Sequence, residues 1–186
     1  MKRMFVMLLI AAASITVASS NAFAQNNNPM VGGAAMYRTK NIVENAVNSA
    51  DHTTLVAAVK AAGLVETLSG KGPFTVFAPT NAAFDKLPAG TVETLVKPEN
   101  KEMLTKILTY HVVPGKMDSK AIMKAIKKGG GMATLKTASG GTLTAMMVGQ
   151  DLVLRDAKGG TSRVNIANVY QKNGVIHSVD TVLMPN

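Results

Sequence analysis

Side chains able to do chemistry are scarce in this 186-residue chain. Three histidines, His52, His111 and His177, lie far apart. None has the His-x-x-x-His spacing that puts two imidazoles on one helix face for a metal. There is no cysteine, which excludes a thiolate nucleophile, a thiolate metal site, a disulfide and a lipidated N-terminal cysteine. Ser178 follows His177 directly, but neighbours on a strand point to opposite faces, so the two cannot couple as nucleophile and base. No Gly-x-Ser-x-Gly elbow occurs, nor a Gly-x-x-x-x-Gly-Lys-Ser/Thr phosphate loop. Gly129–Gly131 follows a helical pattern rather than a strand. With 11 acids in all, material for a carboxylate pair is thin. The expected class is a non-enzyme with no catalytic residue, no metal and no cofactor.

The densest charged feature is basic. Lys116, Lys120, Lys124, Lys127, Lys128 and Lys136 surround one acid, Asp118. Asp118 or Ser119 can cap a helix that ends at Gly129-Gly130-Gly131. On that helix Lys120, Lys124, Lys127 and Lys128 form one stripe, with Ile122, Ala125 and Ile126 opposite. Such a stripe is an ordinary solvated face or a contact for an anionic surface. The whole chain has 20 Lys+Arg against 11 Asp+Glu, a net charge of +9. Nucleic acid is not the expected partner, because no Trp and only three Tyr are present to interleave with the basic residues. Anionic polysaccharide or lipid surfaces fit better.

Compartment follows from the first residues. Lys2 and Arg3, the apolar run Met4–Ala13 and the small-x-small site Ala22-Phe23-Ala24 have the order of a secretory signal peptide, expected to span 1–24. The apolar run is about half the ~20 residues a membrane span needs. Residues 25–38, polar and glycine-rich, read as a flexible leader, and 39–186 as one folded domain without a transmembrane segment. The expected location is secreted or periplasmic.

Periodicity then places the elements. Ile42, Val43, Ala46 and Val47, then Leu55, Val56, Val59, Ala62, Val65 and Leu68, repeat at helical spacing until Gly70 and Gly72-Pro73. A buried strand is expected over Pro73–Ala78, with a brief helix around Asn81–Lys86. A helix from Glu99 carries Met103, Leu104, Ile107 and Leu108 on one face and runs into a strand over Tyr110–Val113. After Gly129 the period becomes two, with strands over Met132–Thr137, Thr142–Val148, Leu152–Arg155 and Val164–Tyr170. Asn173-Gly174 is the strongest hairpin signal. Helices first and antiparallel strands later predict an α+β domain.

Three segments carry a family likeness: Thr75-Val-Phe-Ala-Pro-Thr-Asn-Ala-Ala-Phe84, Tyr110-His-Val-Val-Pro-Gly115 and Asn173-Gly-Val-Ile-His-Ser-Val-Asp-Thr-Val-Leu-Met-Pro185. Their order and spacing resemble the fasciclin domain from about Asn41 to Pro185. The resemblance implies a wedge-like β-sandwich flanked by helices of the N-terminal half, and an extracellular interaction module for cell adhesion or matrix contact. It implies that Tyr110 and His111, with Ile107, Val112 and Val113 beside them, are candidate contacts for a cell-surface protein; the alternative from the residues themselves is that Tyr110 packs and His111 satisfies a backbone carbonyl. Asn168 stands where family members often show Asp. Thr75, Asn81, Phe84 and His177 read as structural, with His177 a hydrogen-bonded interior imidazole. Asp180 reads as a buried carboxylate taking donors from the Thr75–Asn81 turn. The alternative function is a carrier of a small apolar or lipidic ligand, held between helices and sandwich.

Overall fold

The computed structural model describes residues 28–186. The segment expected to be a signal peptide lies outside the described residues. Helix α1 (Ile42–Ala46) opens on a reciprocal cap: the Asn41 side chain accepts from the Glu44 amide, and the Glu44 carboxylate accepts from the Asn41 amide. The apolar stripe from Leu55 to Leu68 forms two helices, α2 (Thr53–Ala61) and α3 (Val65–Ser69). Gly63 divides them by taking φ +72°, a left-handed conformation that ends α2. Three more follow: α4 (Asn81–Phe84), α5 (Thr91–Leu95) and α6 (Lys101–Tyr110). On α6, Leu104, Ile107 and Leu108 are buried, but Met103 is 58% exposed. At about 100° per residue it falls outside that stripe. Tyr110 ends α6 rather than starting a strand.

The strands are β1 (Phe74–Pro79), β2 (Val112–Pro114), β3 (Met132–Lys136), β4 (Thr142–Val148), β5 (Asp151–Arg155), β6 (Thr161–Gln171) and β7 (Gly174–Val179). Between β2 and β3 lies α7 (Ser119–Lys128). Among the described residues they form one sheet in the order β2-β1-β7-β6-β5-β4-β3. Every neighbouring pair is antiparallel except β1 with β7, which runs parallel from Phe74↔Gly174 to Pro79↔Val179. The start of β6 pairs with β5 and the rest with β7, so this one strand joins the two halves of the sheet. The Ala138 amide donates to the Val112 carbonyl at 2.7 Å, which draws the two sheet ends together into a near-barrel. This is the α+β arrangement expected from the sequence.

The β1–β7 pair divides the interior in two. Val76, Ala78 and Ile176 face a core built with α1 to α6, where Leu55, Leu104 and Phe84 pack. Phe77, Val179 and Leu183 face a second core filled by Ile122 and Ile126 of α7 and by Leu135, Leu143 and Leu154. Both strands are buried on both faces, which is why their sequences read as continuous apolar runs.

Two further features differ from the sequence expectation. Residues 28–38 do not behave as a leader outside the fold: Val31 and Met36 are buried in the first core. The Asn28 side chain accepts from the Tyr170 amide and donates to its carbonyl at 2.9 and 2.6 Å, as a strand neighbour would. A polar composition hid this, since one Asn side chain can imitate a backbone partner. The second is the Asn173-Gly174 signal. Gln171 pairs with Gly174, so the turn residues are Lys172 and Asn173. Gly174 is required for close approach, because a Cβ there would run into the Phe74 carbonyl oxygen. Asn173 is buried: its Oδ1 accepts from the Ile42 amide at 3.0 Å, and its Nδ2 donates to the carbonyls of Leu68 and Gly70 at 2.8 Å. One side chain thus ties α1 and the end of α3 to the β6–β7 turn.

Asn173→Ala leaves three interior backbone groups without their partner and is expected to cost about 2–4 kcal/mol in chemical denaturation. The exposed neighbour substitution Lys172→Ala is expected to stay within about 0.5 kcal/mol. Equal, small effects from both would contradict the assignment.

Candidate functional site

Helix α7 starts at Asp118, whose carboxylate accepts from the Ala121 amide at 2.8 Å. That hydrogen bond, with help from the Tyr170 hydroxyl and Lys120, holds the Asp118 carboxyl below the usual carboxylate range. Ile122 and Ile126 anchor one face in the second core. Lys120, Lys124, Lys127 and Lys128 all stand exposed on the other. Among the described residues the ion pairs are Lys86–Asp180, Arg163–Asp151 and Arg163–Asp180, so none involves an α7 lysine. Lys116, just before the helix, differs: its ammonium lies 5.2 Å from the centre of the Tyr170 ring, beside Arg38 at 4.4 Å.

Asn168 joins this helix to β6. Its Oδ1 accepts from the Ser119 amide at 2.8 Å and its Nδ2 donates to the Ser119 hydroxyl at 2.7 Å. It sits at φ +64°, within an irregular stretch of β6 pairing.

The Tyr110-His111 segment is interior. Tyr110 is 1% exposed, His111 2%, Ile107 3% and Val112 5%, and Val113 is buried beside them. The Tyr110 hydroxyl donates to the Thr142 carbonyl at 2.6 Å and accepts from the Ala157 amide at 3.0 Å. His111 Nδ1 faces the Ile107 carbonyl at 2.8 Å, and Nε2 accepts from the Leu183 amide at 3.0 Å. The contact role implied for Tyr110, His111, Ile107 and Val112 is therefore corrected: a partner would have to open the fold to reach them. Closing α6 onto the C-terminal segment is what this stretch does.

The residues of the first and last signatures are likewise structural in their surroundings. Thr75 Oγ1 donates to the Gly115 carbonyl and accepts from the Met117 amide. Asn81 Oδ1 accepts from the Thr54 amide at 3.0 Å, and its Nδ2 donates to the Ala50 carbonyl at 2.9 Å. Phe84 is buried in the first core. His177 stacks on Phe77 at 5.5 Å between ring centres, and its Nε2 faces the Met117 carbonyl at 2.9 Å. Asp180 departs from expectation. Its side chain is 25% exposed, it accepts from the Arg163 amide at 2.9 Å, and Lys86 lies 3.8 Å away. None of its partners comes from the Thr75–Asn81 turn. Strand β7 ends at Val179, so Asp180 lies at the rim beyond the sheet. The first and last signatures are tied instead by the backbone ladder, extended by the Thr80 amide donating to the Val179 carbonyl.

One interior cluster escaped the sequence reading. His52 Nδ1 lies 2.9 Å from the Ser49 hydroxyl and Nε2 lies 3.1 Å from the Ser178 hydroxyl. A hydroxyl beside an imidazole is the first contact of nucleophilic catalysis, but the third member here is a serine, not a carboxylate. All three are buried, and Ser178 is 1% exposed. The cluster pairs polar groups across the first core. Ser49 and His52 are three residues apart, the one local signal that could have joined them.

A profile of the fasciclin domain matches residues 50–185. The chain belongs to the fasciclin domain family. The relatives include "Protein sll1483" of Synechocystis, 45% identical over 172 residues, covering 91% of this chain and 87% of that protein. The "Immunogenic protein MPB70" of Mycobacterium bovis is 38% identical over 145 residues, covering 75% of this chain and 66% of the relative. The "Cell surface glycolipoprotein MPB83" of the same species is 39% identical over 122 residues, covering 66% and 48%. Among solved structures, a FAS1 domain pair from the insect cell adhesion molecule Fasciclin I superposes with a TM-score of 0.70 at 18% identity. It covers 82% of this chain and 52% of that one, and carries the fold alone. Among the described residues no helix is long and apolar enough to cross a membrane.

In this fasciclin domain burial lowers the basicity of all three histidines, and that of His111 falls to about 4. The unfolded chain binds a proton near pH 6.5 that folded His111 refuses, so stability is full above pH 6.5 and declines as pH falls toward 4. His111 alone accounts for about 3 kcal/mol across that window. Denaturation midpoints taken between pH 7.5 and 4 are expected to fall steadily below pH 6.5. A flat profile down to pH 4.5 would contradict a neutral, buried His111.

Proposed function

We propose that this fasciclin domain acts outside the cytoplasm, secreted or in the periplasm, as an interaction module for surface or matrix contact, docking on anionic polysaccharide through α7. The observation that carries the reading is the exposed stripe of Lys120, Lys124, Lys127 and Lys128, none of them in an ion pair among the described residues, on a helix whose other face is locked in the core. Attraction between such a stripe and an anionic polymer needs no pocket, acts over about a Debye length of 8 Å at physiological salt, and weakens as salt rises. The export pattern in residues 1–24 supports the location, as does the naming of a mycobacterial relative as a cell surface glycolipoprotein. No catalytic role is part of the proposal.

The test is retention on an acidic polysaccharide resin across a salt gradient. The triple change Lys120→Glu, Lys124→Glu, Lys127→Glu is expected to abolish salt-sensitive retention without altering thermal stability by more than a few degrees. Unchanged retention would end the α7 reading. Binding of the wild type to anionic vesicles but not to the resin would replace polysaccharide with a lipid surface.

A further inference from the structure

Between α1, α2, α3 and the sheet lies an apolar cavity of about 60 Å³, lined by Ile42, Leu55, Val59, Val76 and Ile176 among others. Its few polar walls are already occupied. Ser49 pairs with His52, His52 with Ser178, and His111 with the Ile107 carbonyl and the Leu183 amide. Among the described residues no buried side-chain polar atom lacks a partner. A buried water wants two to four polar partners, so this space is dry and favours an apolar guest. Engineered cavities that take benzene measure about 150 Å³. At less than half of that, the space suits the end of an unbranched chain and not a ring.

The mouth says what the rest of the guest must be. Val43, Ala46, Val56 and Val65, all half-buried, form an apolar rim on three short helices. Lys60, exposed at the end of α2, is the one charged residue of the lining, whose two histidines are buried with their basicity lowered. The acids of the neighbouring helices, Glu44 on α1 and Glu66 on α3, stand outside the lining. Met36, buried in the wall, has a flexible thioether chain that can yield to a guest.

We propose that this cavity takes the tail end of an anionic single-chain amphiphile, a medium-chain carboxylate, with its head on the Lys60 ammonium at the mouth. The carrier role considered from the sequence thereby acquires a place and a ligand class, independent of the α7 surface.

The test is a methyl NMR titration of the full protein with decanoate below its micelle concentration, with decanol and a decyl ammonium salt as controls. Saturable one-to-one shifts at the methyls of Val59, Val65 and Ile176 are expected with decanoate and decanol. Lys60→Gln is expected to weaken decanoate about threefold and leave decanol unchanged. Val56→Phe, which fills the mouth, is expected to abolish binding of both; if it does not fold, Ala46→Leu serves in its place. The triple α7 variant is expected to bind decanoate normally, so failure here is distinct from failure of the surface reading. No saturable shift, shifts confined to the outer surface, or decanoate binding indifferent to both Lys60→Gln and the mouth-filling change would overturn the proposal.

Discussion

The parallel pairing of β1 with β7 joins the first signature of the chain to the last, and every other element is arranged around it. The two strands form a wall with a core on each side. Val76, Ala78 and Ile176 look toward the helices, while Phe77, Val179 and Leu183 look toward α7 and the antiparallel strands. Closing this pair encloses nearly the whole intervening chain, at the conformational cost of a long loop. The return is burial of two apolar faces at once, since a strand paired in this way wastes no side chain on solvent. The Phe74 carbonyl needs Gly174 opposite it, so even the backbone spacing is set by this contact.

Without cysteines, order inside has to come from packing and from polar groups that accept only one arrangement. Asn173, Asn81, Thr75, His111 and Tyr110 each bond to backbone groups of a different element. Asn45 and Gln171, buried together, pair side chain to side chain. Left without its partner, each of these groups would carry a desolvation penalty of about 1–3 kcal/mol, so alternative packings are penalised by more than lost apolar contact. Neutral histidines extend the same logic, because a charged imidazole could not accept from the Leu183 amide as His111 does.

Much of this was legible from residues alone. The period change after Gly129, the buried strand over Pro73–Ala78, and the α7 helix with its Asp118 cap all follow from local patterns. What was not legible depended on distant partners. Asn28 reads as linker until Tyr170 is beside it, and Asp180 reads as buried until the chain is seen to leave the sheet after Val179. The contact role implied for Tyr110 and His111 failed because exposure is a tertiary property, and both carry polar atoms that fit either place. The lysine stripe was visible from spacing, whereas the cavity arises from helices that meet only in the fold.

The β1–β7 wall separates the two cores and can itself be tested directly. Native-state hydrogen exchange of the β1 and β7 amides reports whether that wall opens alone or only with the whole molecule. For Val76, Phe77, Ile176 and His177 the account predicts an opening free energy equal to that of global unfolding, with the same denaturant dependence. Exchange of these amides through a local, denaturant-insensitive opening, while those of β3–β5 stay protected, would contradict it.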